Sequence, residues 1–354
     1  MRGLNQSGFC SYDPGFANTA GCQSAISWID TENSVLLHRG YPVDQLARQC
    51  DFLEVAYIML RGDAPDEASY QTFRETITRH TLVHEQIARM CSGFRRDSHP
   101  MALMCALVGA LAAFYHDVLD VENPQHRALA ATRLLSKMPT IAAMSYKYTI
   151  EQPAAYPRND LSYAGNFLQM LFAIPAEKYV LNPVIEQAMN QILVLHADHG
   201  QCASTTTVRA AGSSGANLFA CVAAGLASLW GPMHGGANES SMRMLEEIES
   251  VDQVPAFLRQ AKRDPQAFRR LGFGNSRYRH RDPRADILRE TSHRVLAEVG
   301  MSDRLLQVAM ALEDVALTDP YFVENGLSPS VDFYTAVILK AMNLPSSMFA
   351  VVTA

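Results

Sequence analysis

The sequence has no surplus of basic residues: 30 Lys and Arg stand against 36 Asp and Glu, for a net charge of -6. That balance excludes a polyanion coat or a polybasic membrane face, since both need clustered cations. Neither nucleic acid nor a membrane is therefore an expected partner, and any anionic ligand must be held by a local basic group. C-x-x-C pairs are also missing. The seven Cys, at 10, 22, 50, 91, 105, 202 and 221, are scattered and odd in number, in a chain long enough to fold without disulfide staples. Reduced core thiols and a cytoplasmic location are the expectation. No apolar run approaches the ~20 residues of a bilayer span; the longest, Leu218 to Trp230, stops well short. The opening MRGLNQSGFCSYDPG lacks the apolar centre of a secretory signal. Internal repeats and low-complexity linkers are absent as well, so any second domain must arise from the path of the helices rather than from a flexible joint.

What is present is helical periodicity. In VDQLARQCDFLEVAYIMLRG, Leu46, Leu53, Val55, Ala56, Ile58 and Met59 recur at spacings of three and four until Gly62. The same rhythm predicts helices over about 66–91, 101–115, 125–147, 160–173, 181–199, 216–230, 239–248, 254–262, 283–299, 303–317 and 331–343. Only SAISWID and SVLLHRG, flanking the polar DTEN, read as strands of a small β-hairpin. The fold class is all-α with a small N-terminal β-hairpin.

Four segments could carry chemistry. In LWGPMHGGANESSMRMLEEI, an apolar helix ends at Trp230, Gly231-Pro232 stops it, and Asn238 is a candidate cap for the next helix. His234 lies in the turn between, where Gly235 and Gly236 would let a ligand come close to the backbone. A loop histidine is as often structural or merely exposed. LHADHGQCAS offers His196, His199 and Cys202, all of zinc-ligand type. On a helix, positions 196 and 202 lie more than about 90° apart and no fourth ligand follows, so no metal is expected. In GFGNSRYRHRDPRADI, a Rossmann fingerprint fails for want of a preceding strand and a third glycine. If the segment is extended, Arg277, Arg279 and Arg281 project to one side, with Arg284 beyond Pro283, a candidate clamp for carboxylate or phosphate oxygens; a solvated charged loop is the alternative. LSPSVDFYTAVILKAM places Asp332 at the start of an apolar helix, either as its N-cap or as a base for a substrate C–H.

Together these segments, and nearly all of the chain between them, resemble citrate synthase of the Gram-negative bacterial type. The likeness is carried by YDPGF, LLHRGYPVDQLA, FRRDSHPMA, GALAAFYHD, RLLSKMPT, YPRNDLSYAGNFL, LHADH, AGSSGAN, WGPMHGGANE, DPRA and SVDFYTAVILKAMNLPSSMF. It implies a citrate synthase-like two-domain helical fold, with a large domain of 1–235 plus 341–354, a small domain of 236–340, and a homodimer or hexamer as the active unit. It also implies a Claisen-type condensation of acetyl-CoA, as co-substrate, with a 2-oxo acid, followed by thioester hydrolysis, with no permanently bound cofactor. By position, His234 resembles the donor to the thioester oxygen, Asp332 the base that removes the methyl proton, and His199 and Arg284 the residues that hold oxaloacetate. Arg79, His80, Tyr115, Arg133 and Lys137 match the basic allosteric site for NADH of hexameric members.

Three departures stand out. The family's G-F-G-H-R-V-Y-K reads Gly272-Phe273-Gly274-Asn275-Ser276-Arg277-Tyr278-Arg279, so Asn275 replaces the histidine that protonates the oxaloacetate carbonyl. An amide donates a hydrogen bond but no proton; His280 is a candidate substitute. After the second His of LHADH, the family's acidic residue and Asn are Gly200 and Cys202, which would disturb the wall behind His199. The chain also ends at FAVVTA, before a tail that carries two further substrate arginines in the family. A changed acid is one consequence: phosphonopyruvate, giving phosphonomethylmalate, would suit added arginines, and propionyl-CoA chemistry leading to 2-methylcitrate is another variant. The alternative from a different class is a catalytically impaired homologue serving as a structural or regulatory subunit.

Overall fold

The computed structural model describes residues 22–232, 234–263, 272–274, 278, 281–300 and 303–354. It opens on β1 (Ser27–Asp30), β2 (Val35–His38) and β3 (Tyr41–Pro42), an antiparallel three-stranded sheet in the order β1-β2-β3. Ser27 lies opposite His38 and Asp30 opposite Val35, with Asp30 accepting from the Glu32 and Asn33 amides to close the hairpin turn.

Helices make up the rest: α1 (Val43–Gln49), α2 (Phe52–Arg61), α3 (Glu67–Arg79), α4 (Glu85–Met90), α5 (Pro100–Phe114) and α6 (Pro124–Thr149). These are followed by α7 (Tyr163–Phe172), α8 (Pro183–His196), α9 (Ala203–Gly212), α10 (Leu218–Leu229), α11 (Ala237–Glu247) and α12 (Val254–Ala261). The last group is α13 (Pro283–Val299), α14 (Arg304–Thr318), α15 (Pro320–Glu324), α16 (Val331–Ala341) and α17 (Phe349–Val352). The chain is mostly helical, and the hairpin expected at its start gains a short third strand.

Local chemistry explains where several helices begin. At His99-Pro100, Asn123-Pro124, Asn182-Pro183, Asp282-Pro283 and Asp319-Pro320, a polar side chain accepts from a first-turn amide while Pro occupies the first turn, where its missing N–H costs nothing. Two runs expected as single helices are broken. The 66–91 stretch stops at Arg79 and restarts at Glu85, where His84 accepts from the Gln86 amide. The run after Val43 stops at Gln49 and restarts at Phe52, because the Asp51 carboxylate accepts from the Glu54 amide and caps a new helix. The short helix α9 was not expected, its Ser-Thr-Thr-Thr-Val run being poor in helix formers.

Two packing details fix the frame of the site. Pro139 lies inside α6 and cannot donate to the Leu135 carbonyl one turn back; the Tyr163 hydroxyl of α7 donates to that carbonyl instead, at 2.8 Å. Helices α9 and α10 approach so closely that a Cβ on Gly225 would lie 2.4 Å from Val208 Cγ2. The core runs through all these layers, with Phe273, Phe322, Phe333, Tyr334 and Phe349 fully enclosed.

Candidate active site

The first turn of α16 is the meeting point of segments distant in sequence. Its N-cap is Ser330, which accepts from the Phe333 amide, so Asp332 is not the cap and its carboxyl is available for other partners. Gly272, Phe273 and Gly274 run alongside: Gly274 N–H donates to Ser328 O (2.7 Å), Ser330 N–H donates to Gly272 O (3.0 Å), and the Phe273 and Phe333 rings pack 5.1 Å apart. Gly272 needs a positive φ of 93° and has Ser241 Oγ 2.3 Å from where a Cβ would be, which leaves room for glycine alone.

From the opposite side comes the turn joining α10 to α11. His234 N–H donates to Gly231 O (3.0 Å), Gly235 N–H to Leu229 O (2.9 Å), and Ala237 N–H to His234 O (3.0 Å). Both glycines are required by the turn itself: a Cβ on Gly235 would lie 2.6 Å from Leu229 O, and one on Gly236 2.8 Å from Pro232 Cα. Asn238 does not cap α11 either, since Gly236 holds that position. It is buried, and with its amide nitrogen turned to Asp332 it donates to Oδ1 at 3.0 Å and to the Asp332 carbonyl at 2.9 Å.

Asp332 is the electrostatic centre of this region. Burial pushes its carboxyl above the ordinary range; Arg284 and His234 pull it down, and Asp282 raises it. Arg284 and Asp282, both buried at the start of α13, form a forked pair, Nε to Oδ1 at 3.0 Å and Nη2 to Oδ2 at 2.7 Å, and Nη1 donates to Leu195 O at 3.3 Å. Burial works against the Asp282 charge, but Arg284 outweighs it and holds that carboxyl below its usual range. His199 also interacts with Asp282, and its Nε2 is 2.9 Å from the Tyr278 hydroxyl. Behind this group lie two apolar-set histidines, His38 and His196, each pushed down to about 4, first by burial and then also by Arg284.

His196, His199 and Cys202, the three residues of zinc-ligand type, point to different partners. His196 Nδ1 pairs with Ile192 O (2.9 Å), His199 with Tyr278, and Cys202 with Ser204 Oγ (3.2 Å) and Thr205 Oγ1 (3.1 Å). The hydrogen bonds of Cys202 thus go to α9. Ser204 Oγ in turn is 2.9 Å from His234 Nε2, so the thiol reaches His234 through Ser204.

The citrate synthase C-terminal domain family model matches residues 15–354 of this chain. The chain belongs to the citrate synthase family. Among solved structures it is similar to citrate synthase from Pyrobaculum aerophilum, with 30% identity over 96% of this chain and 84% of that one and a TM-score of 0.87. Citrate synthase from Thermotoga maritima MSB8 gives 27% identity, coverage of 96% and 87%, and a TM-score of 0.79. The Thermoplasma acidophilum enzyme, solved as a ternary complex with carboxymethyl coenzyme A and oxaloacetate, gives 25% identity, coverage of 97% and 88%, and a TM-score of 0.85.

Within this citrate synthase fold, the expected site residues divide into three groups. His234, Asp332, Arg284 and His199 belong to one chain of electrostatic and hydrogen-bond contacts. Asn275, Arg277 and Arg279, with Ser276 and His280, lie outside the described residues. Arg281 does not extend an arginine row toward Arg284: its Nη1 pairs with Asp286 at 2.7 Å, and it lines a cavity of about 580 Å³ with Ser34, Arg48 and Pro283. Of the residues expected at an allosteric site, His80, Tyr115, Arg133 and Lys137 come together. The Arg133 guanidinium lies 4.4 Å above the Tyr115 ring and pairs with Asp117, while Lys137 Nζ donates to the His80 and Leu82 carbonyls. Arg79 instead turns to Glu75 at 3.3 Å. Sequence reasoning missed Asn238 as a partner of Asp332 and Tyr278 as a partner of His199; in each case the partners are 79 or more positions apart, with no local signal.

Proposed function

We propose that this chain condenses acetyl-CoA with oxaloacetate to give citrate and CoA, with Asp332 as the base and His234 as the donor to the thioester oxygen. The observation that carries the reading is the tie between the α10–α11 turn and α16: Asn238, four residues after His234, donates to Asp332 Oδ1 at 3.0 Å and to its carbonyl at 2.9 Å, which brings His234 close enough to favour the Asp332 charge. A thioester methyl proton is very weakly acidic, so removing it needs a base and a donor acting on the same substrate. Asp332 takes the proton, the C–H electrons move into the C–C bond, and the developing enolate oxygen accepts from His234. Desolvation of Asp332 strengthens it as a base, and the Asn238 amide holds the carboxylate in place. The enolate carbon then attacks the keto carbon of the acid, whose carboxylates would be met by Arg284 and His199. As that bond forms, the keto π electrons move onto oxygen; in this reading Asn275 supplies a hydrogen bond to that oxygen, which takes its proton from water, and a further water cleaves the thioester to release CoA.

Residues 236–340 would act as a small domain closing on 1–235 plus 341–354, in a homodimer or larger assembly, with the Tyr115, Arg133 and Lys137 group as a regulatory basic site. A phosphonate acid gains no added support from the described arginines of this segment, since Arg281 and Arg284 each already pair with a carboxylate, Asp286 and Asp282. The test is product identification by mass spectrometry after purified protein is mixed with acetyl-CoA and, separately, oxaloacetate, phosphonopyruvate, pyruvate or 2-oxoglutarate. Citrate from oxaloacetate supports the reading. No product with any acid from folded protein overturns it in favour of a structural or regulatory subunit.

A further inference from the structure

We infer that Cys202 is a positioning residue for His234, setting through Ser204 which imidazole nitrogen carries the proton and so whether His234 can donate to a thioester oxygen. The inference rests on the placement of His234 in the acyl-CoA site argued above. It starts from a connected row of groups at the head of α9. Cys202, the N-cap residue, has its Sγ 3.2 Å from Ser204 Oγ and 3.1 Å from Thr205 Oγ1, and Ser204 Oγ is 2.9 Å from His234 Nε2.

A hydroxyl has one proton, so this row has a direction. With a proton on the sulfur, Cys202 donates to Ser204, Ser204 donates to Nε2, and the ring's own proton sits on Nδ1, the nitrogen left for a substrate oxygen. Moving the sulfur proton onto the ring keeps Nδ1–H. Losing that proton to solvent reverses the row: the thiolate draws the Ser204 proton, Ser204 accepts from Nε2–H, and Nδ1 is left bare. A bare Nδ1 repels an enolate oxygen instead of stabilising it.

The surroundings favour ionisation of the sulfur. Burial raises the thiols of Cys91, Cys105 and Cys221, and pushes Cys50 up to about 12. Burial opposes ionisation at Cys202 as well, yet His234 and the hydrogen bonds from Ser204 and Thr205 outweigh it and bring the thiol to about 6. A helix N-terminus favours a thiolate in the same sense. Asp332 of α16 also interacts with His234 and is itself coupled to Arg284 and Asp282 of α13; as the proposed base, Asp332 governs the acid side of the profile.

The test reads the tautomer directly. Nitrogen-15 histidine NMR of the full chain is recorded against pH, with the His234 signals among the 11 histidines identified by their absence from a His234→Gln spectrum. In the native protein the signals should pass from Nδ1–H to Nε2–H as the thiol ionises, with the midpoint located independently from the rate of iodoacetamide alkylation. In Cys202→Ser they should remain Nδ1–H, and Cys202→Asn provides the same comparison if the Ser variant does not fold. An unchanged tautomer in the native protein, or the same transition in the variant, overturns the inference. As a second readout, kcat/KM for acetyl-CoA should fall about tenfold per pH unit above that midpoint in the native protein and stay level in Cys202→Ser. Absence of condensation at every pH would defeat the proposed function and leave the NMR result to decide this inference alone.

Discussion

Asp332 has to be charged to take a proton and desolvated to hold one strongly, and its neighbours serve both needs. Burial raises its affinity for the proton, while Arg284 and His234 favour the charged form. Asn238 favours the charge too, through its amide contact at 3.0 Å. Asn238→Ala should therefore raise the Asp332 pKa and move the acid limb of kcat/KM to higher pH; an unmoved limb would remove Asn238 from the site. His234→Ala should lower kcat by about 10²–10³-fold through loss of the oxyanion donor, with unfolding temperature as the check on structure. At this scale His234 and Asp332 stand out in the sequence as candidates because they sit in the long matched strings WGPMHGGANE and SVDFYTAVILKAMNLPSSMF, and His199 and Arg284 because they sit in the shorter LHADH and DPRA. The links from Asn238 to Asp332 and from Cys202 to His234 were not, since both depend on how distant turns are brought together.

Elements explain why those turns stay in place. The α9–α10 contact depends on Gly225, whose missing side chain makes room for Val208. Gly225→Ala should destabilise the fold by about 1–3 kcal/mol, and Val208→Ala should restore part of that loss, as a double-mutant cycle in thermal unfolding will show. Tyr163→Phe, which strips the hydroxyl from the Leu135 carbonyl opposite Pro139, should cost about 1–3 kcal/mol because the carbonyl is left without its donor. An unchanged unfolding midpoint would mean that water replaces it. The 3.6-residue rhythm identified most helices within a few residues, but it ran through the breaks at Cys50 and at His80, where caps and not periodicity decide. It also missed α9, a polar β-branched segment made helical by packing against α10.

For the whole molecule, the site is also a stability element. His38 and His196 are held neutral and titrate at about 4, against about 6.5 in an unfolded chain. As pH falls below that value the unfolded chain takes up protons first, so stability is complete above about pH 6.5 and is lost as pH falls toward 4. The unfolding temperature should decline across that interval, and His196→Gln should flatten the decline; a level native profile would show that neither histidine is held neutral. The family and the mainly helical architecture were legible from sequence, as the match over residues 15–354 bears out. The measurement that bears most directly on the account is the rate of CoA release from acetyl-CoA with oxaloacetate, followed with a thiol reagent, for the native chain and Asp332→Asn. The account predicts steady release by the native chain and a loss of about 10²–10⁴-fold in the variant at unchanged unfolding temperature; equal rates in the two proteins, or no release by folded native protein, would contradict it.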